Sequence, residues 1–270
     1  MKQDLQAFKN IIWDFYKKNG RHEMLWRKTT DPYYILISEI MLQQTQVDRV
    51  TEKYQEFITT FPTIKHLVEA PLSQVLAVWS GLGYNRRAKF LKQAAEKIIN
   101  EHNETFPQTI EELTQLPGIG HATAAAILTY AYNKAIPYIE TNIRTVFIFH
   151  FFPKAKDIHD EKIKTFIIET LDKENPREWH WALMDYGTHL KKLHGNFSKK
   201  SKHYTKQSKF EGSRRQKRSL IIKKLIEHKK LRKEELSKET NIPDKLLPEL
   251  LTELQKEGMI IKNKNNYQLP

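Results

Sequence analysis

One stretch constrains this chain more than any other: Leu116-Pro-Gly-Ile-Gly-His-Ala-Thr-Ala-Ala-Ala-Ile-Leu128. Leu116-Pro117 ends one segment, and Gly118 and Gly120 permit a tight hairpin at backbone angles that other residues avoid. The alanine-rich run from Ala122 to Leu128 favours helix, so a helix should begin directly after the glycines. Backbone N–H groups left bare at such a helix start suit a phosphate. The same pattern also fits an ordinary helix–helix turn. The flanking residues decide between the two, above all Glu39 upstream and Glu140 downstream.

Charge is the next constraint. The net charge is +13, and it is unevenly spread. Between Lys191 and Lys233 there are 17 Lys/Arg against two acids, Glu211 and Glu227, which leaves 28 bases against 30 acids elsewhere. A basic belt on a nearly neutral body points to a polyanionic partner, nucleic acid before others, with a solvated lysine-rich linker as the plain alternative. The absence of cysteine excludes disulfides, thiol catalysis and cysteine-ligated clusters. No apolar run approaches bilayer length, and Met-Lys-Gln-Asp-Leu lacks the apolar stretch of a signal peptide. The expectation is a cytoplasmic, nucleoid-associated protein with no membrane partner. A length of 270 residues at 39% hydrophobic content allows two or three domains.

Apolar periodicity predicts helices throughout the body. Leu5, Phe8, Ile11, Ile12 and Phe15 share one helical face, and Gly20 closes that helix. Met24 to Pro32 reads as a loop carrying Trp26 and Arg27. Pro32 then opens a helix expected to reach Gln46 or beyond. Within it Glu39 is embedded in Ile-Leu-Ile-Ser-Glu-Ile-Met-Leu, where an unpaired charge is costly and a carboxyl is prepared to act as an acid. A glutamate on the polar face of an amphipathic helix is the common alternative. Gln43-Gln-Thr-Gln46 is a polar cluster suited to base edges. Gly81-Leu-Gly-Tyr84 is a second glycine hairpin, followed by a helix over 88–100. Helices are also expected over 110–115, 161–171 and 179–190, and Tyr138-Ile-Glu-Thr-Asn-Ile-Arg144 leads into another apolar helix through Phe149. From Lys191 to Gly212 the pattern gives way to a basic loop or linker. Helices over 220–228, 233–238 and 245–256, then a hairpin from Met259 to Leu269, resemble a winged helix, with a small helical bundle as the competitor.

Six stretches now stand in order: Trp26-Arg27, Ser38-Glu-Ile-Met-Leu-Gln-Gln-Thr-Gln46, Gly81-Leu-Gly-Tyr84 with Arg87-Ala88, Leu116-Pro-Gly-Ile-Gly120, Glu140-Thr-Asn-Ile-Arg144 and Leu183-Met-Asp-Tyr-Gly187. Over about 165 residues they resemble the helix-hairpin-helix DNA glycosylases, specifically the MutY-type adenine glycosylases. The resemblance implies a mainly α, two-domain helix-hairpin-helix glycosylase fold with a small C-terminal winged-helix-like α+β module. The expected domains are 1–28 plus 136–190, a six-helix domain over 29–135, a basic linker over 191–213 and the module over 214–270. It implies a monomer acting on double-stranded DNA that carries a mismatch or an oxidised base, with the target base flipped out.

By position, Glu39 matches the family's general acid, Glu140 its second carboxylate and Asn142 their support. Arg27, Trp26 and Ala122 would line the base pocket. Gln44 and Tyr84 would enter the stack around the opposite base, with Thr45 at its edge. Gly118, Gly120, His121, Arg86, Lys199, Lys200 and Lys202 would meet phosphate, beside a monovalent cation held by hairpin carbonyls. The implied reaction is hydrolysis of the glycosidic bond of adenine mispaired with 8-oxoguanine or guanine, as part of base-excision repair. A thymine or uracil mismatch glycosylase on the same scaffold, or a catalytically impaired DNA-binding homologue, are the rival readings.

The sequence departs from the family pattern in four places. The second carboxylate is Glu140 where the family has Asp, an extra methylene that displaces the carboxylate by about 1 Å. Ala122 stands where related bifunctional enzymes carry the Schiff-base lysine, which implies base excision without strong strand cleavage. The iron–sulfur cysteines are replaced near Lys191, Ser198, Ser201 and Gln207, so no cluster is expected, and phosphate binding by this loop would fall to lysine and arginine. His194 and His203 read as loop histidines and no metal is expected. The C-terminus is too short for the β-rich domain that recognises 8-oxoguanine in many relatives.

Overall fold

The computed structural model describes residues 2–270. Its elements in order are α1 (Lys2–Asn19), a 3-10 turn (Leu25–Arg27), α2 (Pro32–Leu42), α3 (Val47–Thr60), α4 (Ile64–Glu69), α5 (Leu72–Trp79), α6 (Arg86–Glu101), α7 (Ile110–Thr114), α8 (His121–Tyr132), α9 (Thr141–Phe151), α10 (Asp160–Thr170) and α11 (Pro176–His194). A second 3-10 turn (Phe197–Lys200), α12 (Arg214–His228), β1 (Lys230–Arg232), α13 (Lys233–Thr240), α14 (Leu247–Lys256), β2 (Ile261–Asn263) and β3 (Asn266–Gln268) complete the chain. Two compact units result among the described residues: those up to 35, 108–115 and 119–206 form one, and 36–107, 116–118 and 207–270 the other. These bounds differ from the expected domains: α8 falls in the first unit rather than with 29–135, and the C-terminal module shares the second unit with α3 to α6.

The first unit is held by aromatic packing. Phe8 of α1 meets Phe147 of α9 at 5.2 Å and Trp179 of α11 at 6.3 Å between ring centroids, and Trp13 meets Trp179 at 5.6 Å. Beyond area burial, each such pair contributes about 0.5–1.5 kcal/mol. Helix α11 is longer than the expected 179–190. Pro176 opens it with its fixed φ, and Gly195 at φ 81° ends it, so the first residues of the expected basic loop are helical. The rest of that loop is also partly built. Asn196 Oδ1 accepts from the Ser198 N–H at 3.0 Å and Oγ at 2.6 Å, and Phe197 packs edge-on against Phe149 at 5.1 Å. Ser201 forms a parallel bridge with Ile158. Aromatic and hydroxyl contacts thus order part of a segment expected from the sequence to be an irregular basic loop.

In the second unit Phe57, Phe61 and Trp79 form one aromatic cluster, with Leu91, Ala94, Ala95 and Ile98 of α6 buried. The order α12–β1–α13–α14–β2–β3 gives the winged-helix-like module, with an antiparallel sheet of order β1-β3-β2 that rules out a purely helical bundle. Strand β1 lies outside the expected elements. Its three residues bury only Leu231, opposite Tyr267, too short a pattern to register as a strand. Ile221, Ile222, Leu225, Leu236, Leu250, Leu251 and Leu254 fill the module's core. The module is also tied to the rest of its unit: Lys89 donates to the Glu257 carbonyl, and the Ser73 N–H donates to the Pro270 carbonyl at 3.3 Å.

Helix α2 ends at Leu42, short of the expected Gln46. Gln44 adopts φ 55°, the left-handed conformation that terminates helices, and Arg87 takes the carbonyls of Ile40 at 2.8 Å, Met41 at 2.9 Å and Gln43 at 2.6 Å. Among the described residues no helix is long and apolar enough to cross a membrane.

Candidate active site

Glu39 lies on α2, where Asp31 caps the first turn through the Tyr33 N–H at 2.8 Å. From Ile35 to Met41 every residue except Glu39 is buried, and Glu39 is half-buried. Buried neighbours thus surround a carboxylate that keeps partial access to solvent, an arrangement that both the acid and the polar-face reading allow.

Glu140 caps α9. Its carboxylate accepts the Ile143 N–H at 2.6 Å and Asn142 Nδ2 at 3.3 Å. Asn142 Oδ1 in turn accepts from Lys191 Nζ at 2.7 Å. Burial pushes the Glu140 carboxyl up from its ordinary value, against the Ile143 N–H and the Lys191 charge, which pull it down. Burial likewise lowers Lys191, and the Glu140 charge opposes that. The cluster depends on close approach of α9 and α11: a Cβ at Gly187 would sit 2.5 Å from the Asn142 carbonyl oxygen. The Glu140 carboxylate stands one residue before α9, where free N–H groups favour a negative charge.

Trp26 is buried, and Arg27 beside it forms a bidentate pair with Asp185, both bonds at 2.8 Å. Arg21 adds a third bond to the same carboxylate at 2.6 Å. Burial alone would raise Asp185, but Arg27 and Arg21 outweigh it and hold the carboxyl below its usual range. Arg27 also lies over the Trp181 ring at 5.4 Å, and its Nε is buried without a partner. An orphaned buried donor of this kind is where a polar ligand group would be satisfied. Ala122 is half-buried and His121 exposed at the start of α8, with Gly120 as its open N-cap.

Gly118 takes φ 79°, and a Cβ there would lie 2.9 Å from Phe90 Cβ, so the hairpin glycine is required twice over. Its carbonyl accepts from Gln43 Nε2 at 3.3 Å. Gln44, Thr45 and Tyr84 are brought together by Arg87, whose organising part is not evident from the sequence. Its Nη2 reaches Thr45 Oγ1 at 2.9 Å, Gly83 O at 3.2 Å and Leu82 O at 3.3 Å, and its guanidinium lies over Trp79 and Tyr84. Burial lowers Arg87 to about 10, which still leaves it charged at neutral pH. Tyr84, like Gln44, holds a left-handed backbone, φ 48°. Such strain persists where surrounding bonds over-determine it.

The phosphate candidates vary in how open they are. Lys199 and Lys202 are exposed, whereas Lys200 donates to the Pro153 carbonyl and covers Phe197 at 4.7 Å. Arg86 is exposed, over Phe90 at 5.3 Å and 3.6 Å from Glu257. One group of metal-capable side chains occurs among the described residues: His159, Glu161 and His203, all exposed, with ligand atoms within 4.8 Å. Ligands on one zinc stand roughly 3.4 Å apart, so this set is looser than a formed site. Lys191 and Asp185 are further parts of the site that sequence reasoning misses. Asp185 carries a signal, a carboxylate inside the matched Leu183–Gly187 stretch, but Lys191 is recognisable only once α11 is seen to extend that far.

Comparison with known proteins places the chain in a family. An adenine DNA glycosylase of Buchnera aphidicola (Acyrthosiphon pisum) is 36% identical over 68% of this chain and 53% of its own length, so the chain spans about half of that relative. The solved structure of a thermostable thymine-DNA glycosylase is 26% identical with a TM-score of 0.61, over 69% of this chain and 87% of the other. An endonuclease III in a non-covalent complex with DNA, 17% identical over 72% of this chain and 89% of the other, shares the fold at a TM-score of 0.61. Residues 37–171 match the HhH-GPD superfamily of base excision DNA repair proteins, and the chain belongs to that superfamily of DNA glycosylases.

Proposed function

We propose that the protein is a monofunctional DNA glycosylase that hydrolyses the N-glycosidic bond of adenine mispaired with 8-oxoguanine or guanine. The observation that carries this reading is Glu39, the one residue not buried along Ile35–Met41, set among apolar side chains as a proton-donating carboxylic acid needs to be. Glu39 gives its proton to adenine N7, and the C1′–N9 bond breaks with its electron pair leaving on the base. Glu140, ionised and held by Asn142 and the Ile143 N–H, stabilises the sugar cation and accepts a proton from the water that attacks C1′. Ala122 offers no amine, so the products are free adenine and an abasic site with the strand intact. The hairpin amides meet phosphate, and the exposed Gly118 backbone, with one carbonyl lone pair left by Gln43, suits a monovalent cation. The protein works as a monomer on duplex DNA.

The thymine-DNA glycosylase likeness sustains a second reading, removal of thymine or uracil from mismatches on the same scaffold. Incubation with duplexes carrying A:8-oxoguanine, A:G, T:G and U:G, followed by alkali, separates the readings. Cleavage at adenine only is expected, with no enzyme–DNA adduct trapped by borohydride. Cleavage at thymine or uracil selects the second reading, and binding without cleavage at any base removes both.

A further inference from the structure

Three metal-capable side chains that take no part in the proposed reaction converge where α10 begins. His159 is the residue before that helix, Glu161 lies in its first turn, and His203 comes from the segment after the second 3-10 turn. Their ligand atoms all lie within 4.8 Å of one another. His159 Nδ1 stands 3.9 Å from Glu161 Oε2, and the two imidazole centroids are 6.0 Å apart. Backbone bonds set this meeting. The Ile158 N–H donates to the Lys200 carbonyl and the Lys202 N–H to the Ile158 carbonyl, both at 3.0 Å. Ser201 Oγ donates to Asp160 Oδ1 at 3.2 Å and accepts the His203 N–H at 3.1 Å. Arg144 grips the same Asp160 carboxylate with two bonds, at 2.9 and 2.6 Å. The chain beside each ligand is therefore tied down, while the three ligand side chains themselves are exposed.

We propose that His159, Glu161 and His203 bind a zinc ion that fastens the segment after α11 to the start of α10. Two imidazoles and one carboxylate are a donor set that suits zinc and leaves a fourth position for water. Magnesium and calcium take oxygen ligands and have little use for imidazole. Ligands on one zinc stand roughly 3.4 Å apart, so the set closes by rotation of exposed side chains about backbone that is already paired. An ion pair is the plain alternative for His159 and Glu161, but exposed pairs contribute little and this one gives His203 no part. The fastened segment is the one that carries the exposed Lys199 and Lys202. The proposed hydrolysis does not use the ion, so the zinc site stands or falls separately from the glycosylase reading.

The test uses the full-length, untagged protein, stripped with a chelator and titrated at neutral pH with cobalt(II), a zinc substitute visible by absorption. One equivalent of cobalt is expected to give the strong visible bands of a four- or five-coordinate ion. Zinc should bleach those bands, and magnesium at about a hundredfold excess should leave them. His159→Ala and His203→Ala should each abolish the bands, and Glu161→Gln should weaken cobalt binding about tenfold or more. His194→Ala, which removes a ring stacked on Phe149 and not part of the cluster, should bind cobalt like the wild type. Hydrogen exchange reads the fastening itself. Zinc should slow exchange of the amides over 158–161 and 200–203 severalfold in the wild type and leave it unchanged in His203→Ala. Absence of bands in the wild type overturns the proposal, and so do bands that survive both histidine substitutions. Bands without slower exchange also overturn it, because the ion would then fasten nothing.

Discussion

At the scale of single residues, the proposed chemistry turns on how a carboxylate is held. Glu140 is buried enough to keep its proton to higher pH than an ordinary glutamate, and Lys191, through Asn142, works against that. In the proposed mechanism the ionised form is required, so activity falls as pH drops through this raised value. Lys191→Met removes a charge that favours ionisation. The acid limb of the single-turnover pH–rate profile should therefore move to higher pH, with DNA binding at neutral pH little changed; a limb that stays put removes Lys191 from the electrostatics of the site. Glu39 and Glu140 are legible in the sequence because both lie in specific stretches. Lys191 is not, because its role depends on a helix continuing past an apparent loss of pattern. Arg27 is legible as an arginine that local propensity does not demand, but the bidentate partner Asp185 is 158 residues away and no local rule connects them.

Among the elements, the junction of α2 with the Gly81–Tyr84 loop shows what periodicity misses. The apolar run argues for a helix continuing to Gln46, and the chain instead turns at Gln44 because a buried arginine from α6 satisfies the last carbonyls. Arg87→Met keeps the volume and removes every one of those bonds. Leaving the carbonyls buried and unpaired should cost about 3 kcal/mol, read as a lowered midpoint in urea unfolding, and loosening the Gln44 and Tyr84 turns should weaken mismatch binding as well. An unaltered midpoint would show that water satisfies these carbonyls as well as Arg87 does. Helix positions otherwise follow from pattern, whereas ends set by a distant side chain or by proline, as at Leu42 and Pro176, do not.

At the level of the whole molecule, the basic belt divides into parts with different tasks. Several of its cations are engaged by local acids: Arg214 with Glu253 at 2.5 Å, Arg218 with Glu253 at 3.0 Å, and Lys224 with Glu227 and Glu239, each at 3.0 Å. Lys199 and Lys202 remain exposed on the segment that follows α11. The pair Lys199→Ala, Lys202→Ala should lower the slope of log binding constant against log salt by about 0.9 for each phosphate no longer neutralised, uniformly across duplex sequences. An unchanged slope would place the DNA-binding charge elsewhere in the belt. Net charge is visible from composition, but which lysines are open to phosphate depends on the fold.

The measurement that bears most directly on the proposed chemistry is chromatography of the free base released under single-turnover conditions from a duplex with adenine opposite guanine or 8-oxoguanine. The wild type should liberate adenine, and Glu39→Gln and Glu140→Gln should each slow release by about 100-fold or more while still binding the duplex. No adenine from the wild type, or undiminished release from Glu140→Gln, would contradict the account.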